Sequence, residues 1–149
     1  MPDAGPAGGS SRLVVLDTSV VVAWFFEDAL LRPAALALRS ELRDEPARFV
    51  VPHLLHSELI HVLARKSAGD EQFVAKALAL FLAFGVRTLA LSERALGRMA
   101  HWACSGLSGY DATFVALAED IGGQWLTADT RAAQLAGPQL ARDLAVAYG

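Results

Sequence analysis

The stretch LVVLDTSVVVAWF, residues 13–25, decides the fold. Four apolar residues, Leu13–Leu16, run unbroken into an acid, Asp17, and a second apolar run follows after Thr18 and Ser19. A short continuous apolar run of this kind reads as a strand buried on both faces, the habit of a parallel sheet. A carboxylate placed directly after a buried strand is costly unless something compensates its charge. Ser19 is placed to cap a helix over about 20–26. At the carboxyl edge of an open α/β sheet, such an acid lies where ligands bind.

Outward from this stretch, the pattern repeats. Phe49–Val51 reads as a second strand, stopped at Pro52, and Val86–Leu91 as a third. Trp125–Thr127 reads as a fourth, and Leu144–Ala147 as a fifth. Helices are expected between them: from Pro33, a first-turn proline, to about Arg43, over 54–66, and from an Asp70 cap to Phe84, closed by Gly85. Others are expected from Ser92 and Glu93 to about Cys104, over 110–120 with Gly122 and Gly123 beyond it, and from Thr130. Strands alternating with helices imply one α/β domain, a central parallel sheet of four to five strands with helices on both faces.

The chain has 149 residues, 54% of them hydrophobic and 19% charged, which suits a globular domain over residues 12–149. The opening MPDAGPAGGSS, residues 1–11, is rich in Pro, Gly and Ser and is expected to be a disordered tail without the character of a secretory signal. The net charge of -3 gives no overall basic footprint, so nucleic-acid contacts must come from local patches. The apolar stretch around Asp17 is too short to span a bilayer, so no membrane association is expected. A single cysteine, Cys104, excludes an internal disulfide, fits a cytoplasmic location and reads as a small core residue.

Three further acids fall in comparable settings: Glu58 in VPHLLHSELIHVL (51–63), Asp111 in LSGYDATFVALAE (107–119) and Asp129 in QWLTADTRAAQLA (124–136). Each alone is explicable as a residue favoured near a helix start. Four converging on one site would repel, and the natural compensation is a divalent cation with oxygen ligands. Thr18, Ser19 and Thr127 are placed to orient these carboxylates. His53, His56 and His61 have no cysteine partners and no HExxH spacing, so they read as packing or surface residues, not as a zinc site. Trp24, Phe25, Phe26, Phe81 and Phe84 read as core. Arg32, Arg39 and Arg43 share one helical face, either a solvated face or a set of phosphate contacts. Arg94 and Arg98 form a second pair four apart.

These four segments resemble the motifs of PIN-domain nucleases, and most closely the VapC-type toxins of bacterial VapBC toxin–antitoxin pairs. The resemblance runs over nearly the whole chain after Ser11, with Asp17, Glu58, Asp111 and Asp129 at the four acidic positions. His61 departs from the pattern, standing where that family often has Asn. The resemblance implies a Mg²⁺- or Mn²⁺-dependent endoribonuclease, often a homodimer, held inactive by a VapB-type antitoxin. The metal would lower the pKa of a water that attacks the scissile phosphate.

Other readings fit less well. A haloacid dehalogenase-type phosphatase needs a second acid two residues after the first, and Ser19 stands there. A response-regulator receiver needs an acidic pair before the first strand and a late lysine. A dinucleotide-binding domain needs a glycine-rich turn that DTSVVV lacks. A PIN fold kept as a catalytically inactive binding module would be marked by loss of an acid, and all four are present.

Overall fold

A computed structural model of the chain describes residues 12–28 and 30–149; the expected tail over 1–11 lies outside the described residues. Five strands, β1 (Val14–Leu16), β2 (Phe49–Pro52), β3 (Arg87–Leu89), β4 (Gln124–Thr127) and β5 (Ala141–Asp143), form one sheet in the order β3-β2-β1-β4-β5. Every neighbouring pair is parallel, with Val15 opposite Val50 on one side and Trp125 on the other. The order reverses between β1 and β4, the point at which open α/β sheets form their ligand crevice.

Eight α-helices and one 3-10 turn (Pro46–Arg48) accompany the sheet among the described residues: α1 (Thr18–Val22), α2 (Arg32–Asp44), α3 (Leu54–Lys66), α4 (Glu71–Ala83), α5 (Glu93–Cys104), α6 (Gly109–Asp120), α7 (Thr130–Ala136) and α8 (Leu144–Tyr148). Local chemistry sets their starts. Asp70, Ser92, Ser108 and Asp129 each accept a backbone N–H of the first turn from the cap position. α6 is the central helix: Ala112 to Leu117 and Ala118 are all buried, because it packs along β1, β2 and β4 and against α5. A helix apolar on every side is stable only in such a position. Gly122 and Gly123 turn the chain from α6 into β4. Gly122 has φ of +66°, and a Cβ on Gly123 would stand 2.5 Å from the Leu13 carbonyl oxygen, so no larger residue fits between β1 and β4.

The helices over 54–66 and 93–104 coincide with the sequence expectation, but several local readings do not: the first helix is Thr18–Val22, not 20–26, and the chain turns over 23–26. The fifth strand is Ala141–Asp143, and Leu144–Tyr148 is helical because Asp143 caps it by accepting the Ala145 N–H. Asp17, not Ser19, caps the first helix. Cys104 is exposed: it lies two residues past buried Trp102, about 200° around α5 at ~100° per residue. The core is otherwise as expected, with Trp24 and Phe81 buried and Phe25 and Phe84 half-buried against it. No described helix is long and apolar enough to cross a membrane.

Candidate active site

Asp17 leaves β1 at the reversal point and is only 7% exposed. Its backbone N–H donates to the Leu126 carbonyl of β4 at 2.9 Å, which ties the end of one strand to the other. Its carboxylate accepts three hydrogen bonds. The Ser19 N–H donates to Oδ2 at 2.9 Å and the Ser19 hydroxyl at 2.6 Å, while the Trp125 indole N–H donates to Oδ1 at 3.1 Å. The same Ser19 oxygen accepts the Ala128 N–H at 3.0 Å, so one hydroxyl links the loops after β1 and β4. Even so, burial pushes the Asp17 carboxyl up to about 6, overcoming the Ser19 hydrogen bonds, with a further upward contribution from the charge of Asp111.

The other three acids arrive from three different elements. Glu58 lies on α3, half-buried, and accepts the Thr18 hydroxyl at 3.1 Å. Burial raises its pKa, and the charge of Asp111 raises it further against the lowering by Thr18. Asp111 is in the first turn of α6, half-buried, and is likewise raised by burial and then by the charge of Asp129. Asp129 caps α7 and is exposed; the Thr127 hydroxyl, fully buried, accepts its backbone N–H at 3.1 Å. Thr127 therefore fixes the Asp129 backbone and not a carboxylate, whereas Thr18 and Ser19 contact carboxylates directly.

Two hollows meet at Asp129. The larger, about 450 Å³, is lined by Asp17, Thr18, Ser19, Glu58 and Asp129, with Asp28, Lys66 and an apolar flank that includes Phe26 and Val62. The second, about 290 Å³, holds Asp111, Asp129, Ser108 and Arg131. Asp111 thus faces the neighbouring hollow, and its field reaches Asp17 and Glu58 from there. His61 is exposed beside Glu58, in a shallow depression with Tyr110. Arg32, Arg39 and Arg43 are on α2 and line neither hollow; Arg39 and Arg43 are exposed, and Arg43 lies 3.6 Å from Asp44.

Several residues of this edge did not stand out in the sequence. Phe26, expected in the core, is half-buried and lines the larger hollow. Lys66 had a legible signal: Glu58, Val62 and Lys66 are four apart on α3 and so share the face that lines the hollow. Trp125 had none, because its approach to Asp17 depends on the β1–β4 register.

Among the described residues none of the four acids forms an ion pair, and their only ligating atoms are hard carboxylate oxygens. That donor set fits Mg²⁺ or Mn²⁺ and suits neither a soft metal nor an anion. As they stand, however, no three His, Cys, Asp or Glu among the described residues are close enough together to hold an ion.

Residues 14–138 match the sequence model of the PIN domain. No curated protein sequence matches the chain. Among solved structures, the chain is similar to the DNA-bound VapBC complex of Salmonella typhimurium (16% identity, 89% of this chain and 98% of that one, TM-score 0.68). It is also similar to VapC20 of Mycobacterium tuberculosis, described as a sarcin–ricin loop cleaving toxin (20%, 77% and 87%, 0.61). A third is a toxin–antitoxin complex from Klebsiella pneumoniae (20%, 88% and 97%, 0.62). These likenesses lie in the fold, while the sequence match covers most of the chain and spans all four acidic segments: the chain belongs to the PIN-domain family.

Proposed function

We propose that the chain is a divalent-metal-dependent endoribonuclease and acts as the toxin of a type II toxin–antitoxin pair. The observation that carries the reading is Asp17: a buried carboxylate, without a cationic partner, opening into the same hollow as Glu58 and Asp129 and within the field of Asp111. Unpaired, proton-hungry acids in a cleft mark functional sites more often than structural ones.

Asp17, Glu58, Asp111 and Asp129 are the residues that would hold Mg²⁺ or Mn²⁺. When bound, the cation supplies Lewis acidity, making water a stronger nucleophile and offsetting charge on a phosphodiester. The chain's own residues do the rest. Ser19 and Trp125 fix both oxygens of Asp17, so its orientation is set before any ligand arrives. Thr18 turns Glu58 toward the same hollow, and Thr127 fixes the loop that carries Asp129. The apolar flank excludes water from one side of the hollow and accepts a base.

The likeness to chains of toxin–antitoxin complexes supports a cognate antitoxin; the reading proposed here adds a VapB-type antitoxin covering the acidic edge, a homodimeric toxin, and action on cytoplasmic RNA. RNA cleavage by the purified chain tests the reading. It should stop with EDTA, return with Mg²⁺ or Mn²⁺, and be lost in Asp17→Asn and Asp111→Asn. Chelator-resistant cleavage would contradict the metal mechanism, and RNA binding without any cleavage would leave a PIN-fold binding module.

A further inference from the structure

The acidic edge carries two cations that its four acids do not neutralise. Lys66, at the last turn of α3, lines the larger hollow, and Arg131, two residues after Asp129, lines the smaller one. Among the described residues neither forms an ion pair, although each shares its hollow with two or more carboxylates. Lys66 is held by an aromatic ring instead: its ammonium lies over Phe26 at 5.1 Å from the ring centroid, a contact that positions the charge and leaves its N–H groups free. Both side chains are exposed.

These two charges line different hollows, and Asp129 is the one residue common to both. A polyanion crossing the acidic edge would be repelled along its whole path unless cations met its phosphates at either end. The hollows, about 450 and 290 Å³, are each large enough for about one nucleotide-sized group. The larger has Val22, Phe26, Leu31 and Val62 on its flank, an apolar wall suited to an unstacked base.

We infer that Lys66 and Arg131 are phosphate anchors that hold single-stranded RNA across Asp129, one on each side of the scissile bond. The inference rests on the ribonuclease reading and adds the strand's path and the requirement for unpaired nucleotides. It places the substrate over the junction of the two hollows and away from the α2 arginines, Arg39 and Arg43.

Steady-state cleavage of a short fluorogenic single-stranded RNA by the full chain in Mn²⁺, repeated over a series of KCl concentrations, tests this path. Each phosphate contact to a single strand contributes about 0.7 to the slope of log(kcat/KM) against log[salt], equivalent to roughly fivefold in affinity near 0.1 M. Lys66→Gln and Arg131→Gln should each reduce the slope by about 0.7 and the double variant by about 1.4, with the loss falling on KM. Lys66→Arg and Arg131→Lys should restore it, and Arg39→Gln with Arg43→Gln should leave it at the wild-type value. The same RNA annealed into a duplex should be cleaved poorly. Wild-type slopes in both glutamine variants, or in either one alone, would overturn the path while leaving the ribonuclease reading intact. A wild-type chain that cleaves no RNA at all would overturn both.

Discussion

The acids at the carboxyl edge and the paired acids elsewhere, Glu119 and Glu41, are the same residue types in different electrostatic surroundings. Glu119 on α6 receives two hydrogen bonds from the Arg98 guanidinium, and its pKa is lowered. Glu41 on α2 is paired with Arg48 and accepts the Tyr148 hydroxyl at 2.6 Å, an arrangement that fastens α8 to α2; burial first, and Glu41 after it, raise the Tyr148 pKa well above its ordinary value. Asp17, Glu58 and Asp111 have no such partners, and all three are raised, burial first and a neighbouring carboxylate after it. The paired acids stabilise the fold through those contacts. The edge acids are kept at a cost to the fold, which is the signature of residues retained for binding or chemistry.

The largest expected effect is on activity. Asp17→Asn and Asp111→Asn should each lower RNA cleavage by roughly 100-fold or more, the scale seen when one electrostatic contributor is removed from a hydrolytic site. Equal activity in either variant would place that acid with the structural set.

Next is Trp125→Phe, which removes the N–H donor to Asp17 Oδ1 but keeps an aromatic ring against Phe114, whose ring is stacked on Trp125 at 6.5 Å. A buried carboxylate oxygen then loses its partner, at a cost of about 1–3 kcal/mol near neutral pH by chemical denaturation. The cost should shrink on acidification, once Asp17 is protonated. A pH-independent loss would mean that packing alone was disturbed.

The comparison predicts opposite pH slopes for the two sets. Asp17 has a folded value of about 6 against an unfolded value of 3.8, so the folded chain holds its proton more tightly. Stability therefore falls as pH rises through that window. Metal-free wild type should gain on the order of 1–2 kcal/mol from this group between about pH 7.5 and pH 5, and Asp17→Asn should lack that gain. Glu119, with its lowered value, works the other way: its contribution is present above the unfolded value of 4.5 and is lost as pH falls below it. The Arg98–Glu119 pair is partly solvated, so Glu119→Gln should cost only about 0.5 kcal/mol at neutral pH. Slopes of the same sign for the two variants would dissolve the distinction.

Much of the fold was legible from residues that act locally. Asp70, Ser92 and Pro33 in the first turn of α2 mark helix starts whatever surrounds them, and the apolar runs ending at Asp17 and near Asp129 suit a buried parallel sheet. Leu144–Tyr148 misled because its apolar run suits a strand as well as a helix, and the cap Asp143, immediately before it, decided it. Within the site, the four acids were visible because their segments are distinctive. The Trp125 and Phe26 roles depend on strand register and on which side of a loop faces the hollow, neither of which is written locally.

Binding of Mn²⁺ to the purified chain, followed by thermal unfolding near neutral pH, tests the central claim most directly. If the four acids are held apart by unrelieved charge, the ion should stabilise the fold by about 2.7 kcal/mol at a hundredfold excess over its dissociation constant, a rise of roughly 5–10 °C for a chain of this size. That rise should disappear in the Asp17→Asn, Asp111→Asn double variant, which should melt no lower than wild type without metal. An equal rise in the double variant, or no rise in wild type at millimolar Mn²⁺, would contradict the account.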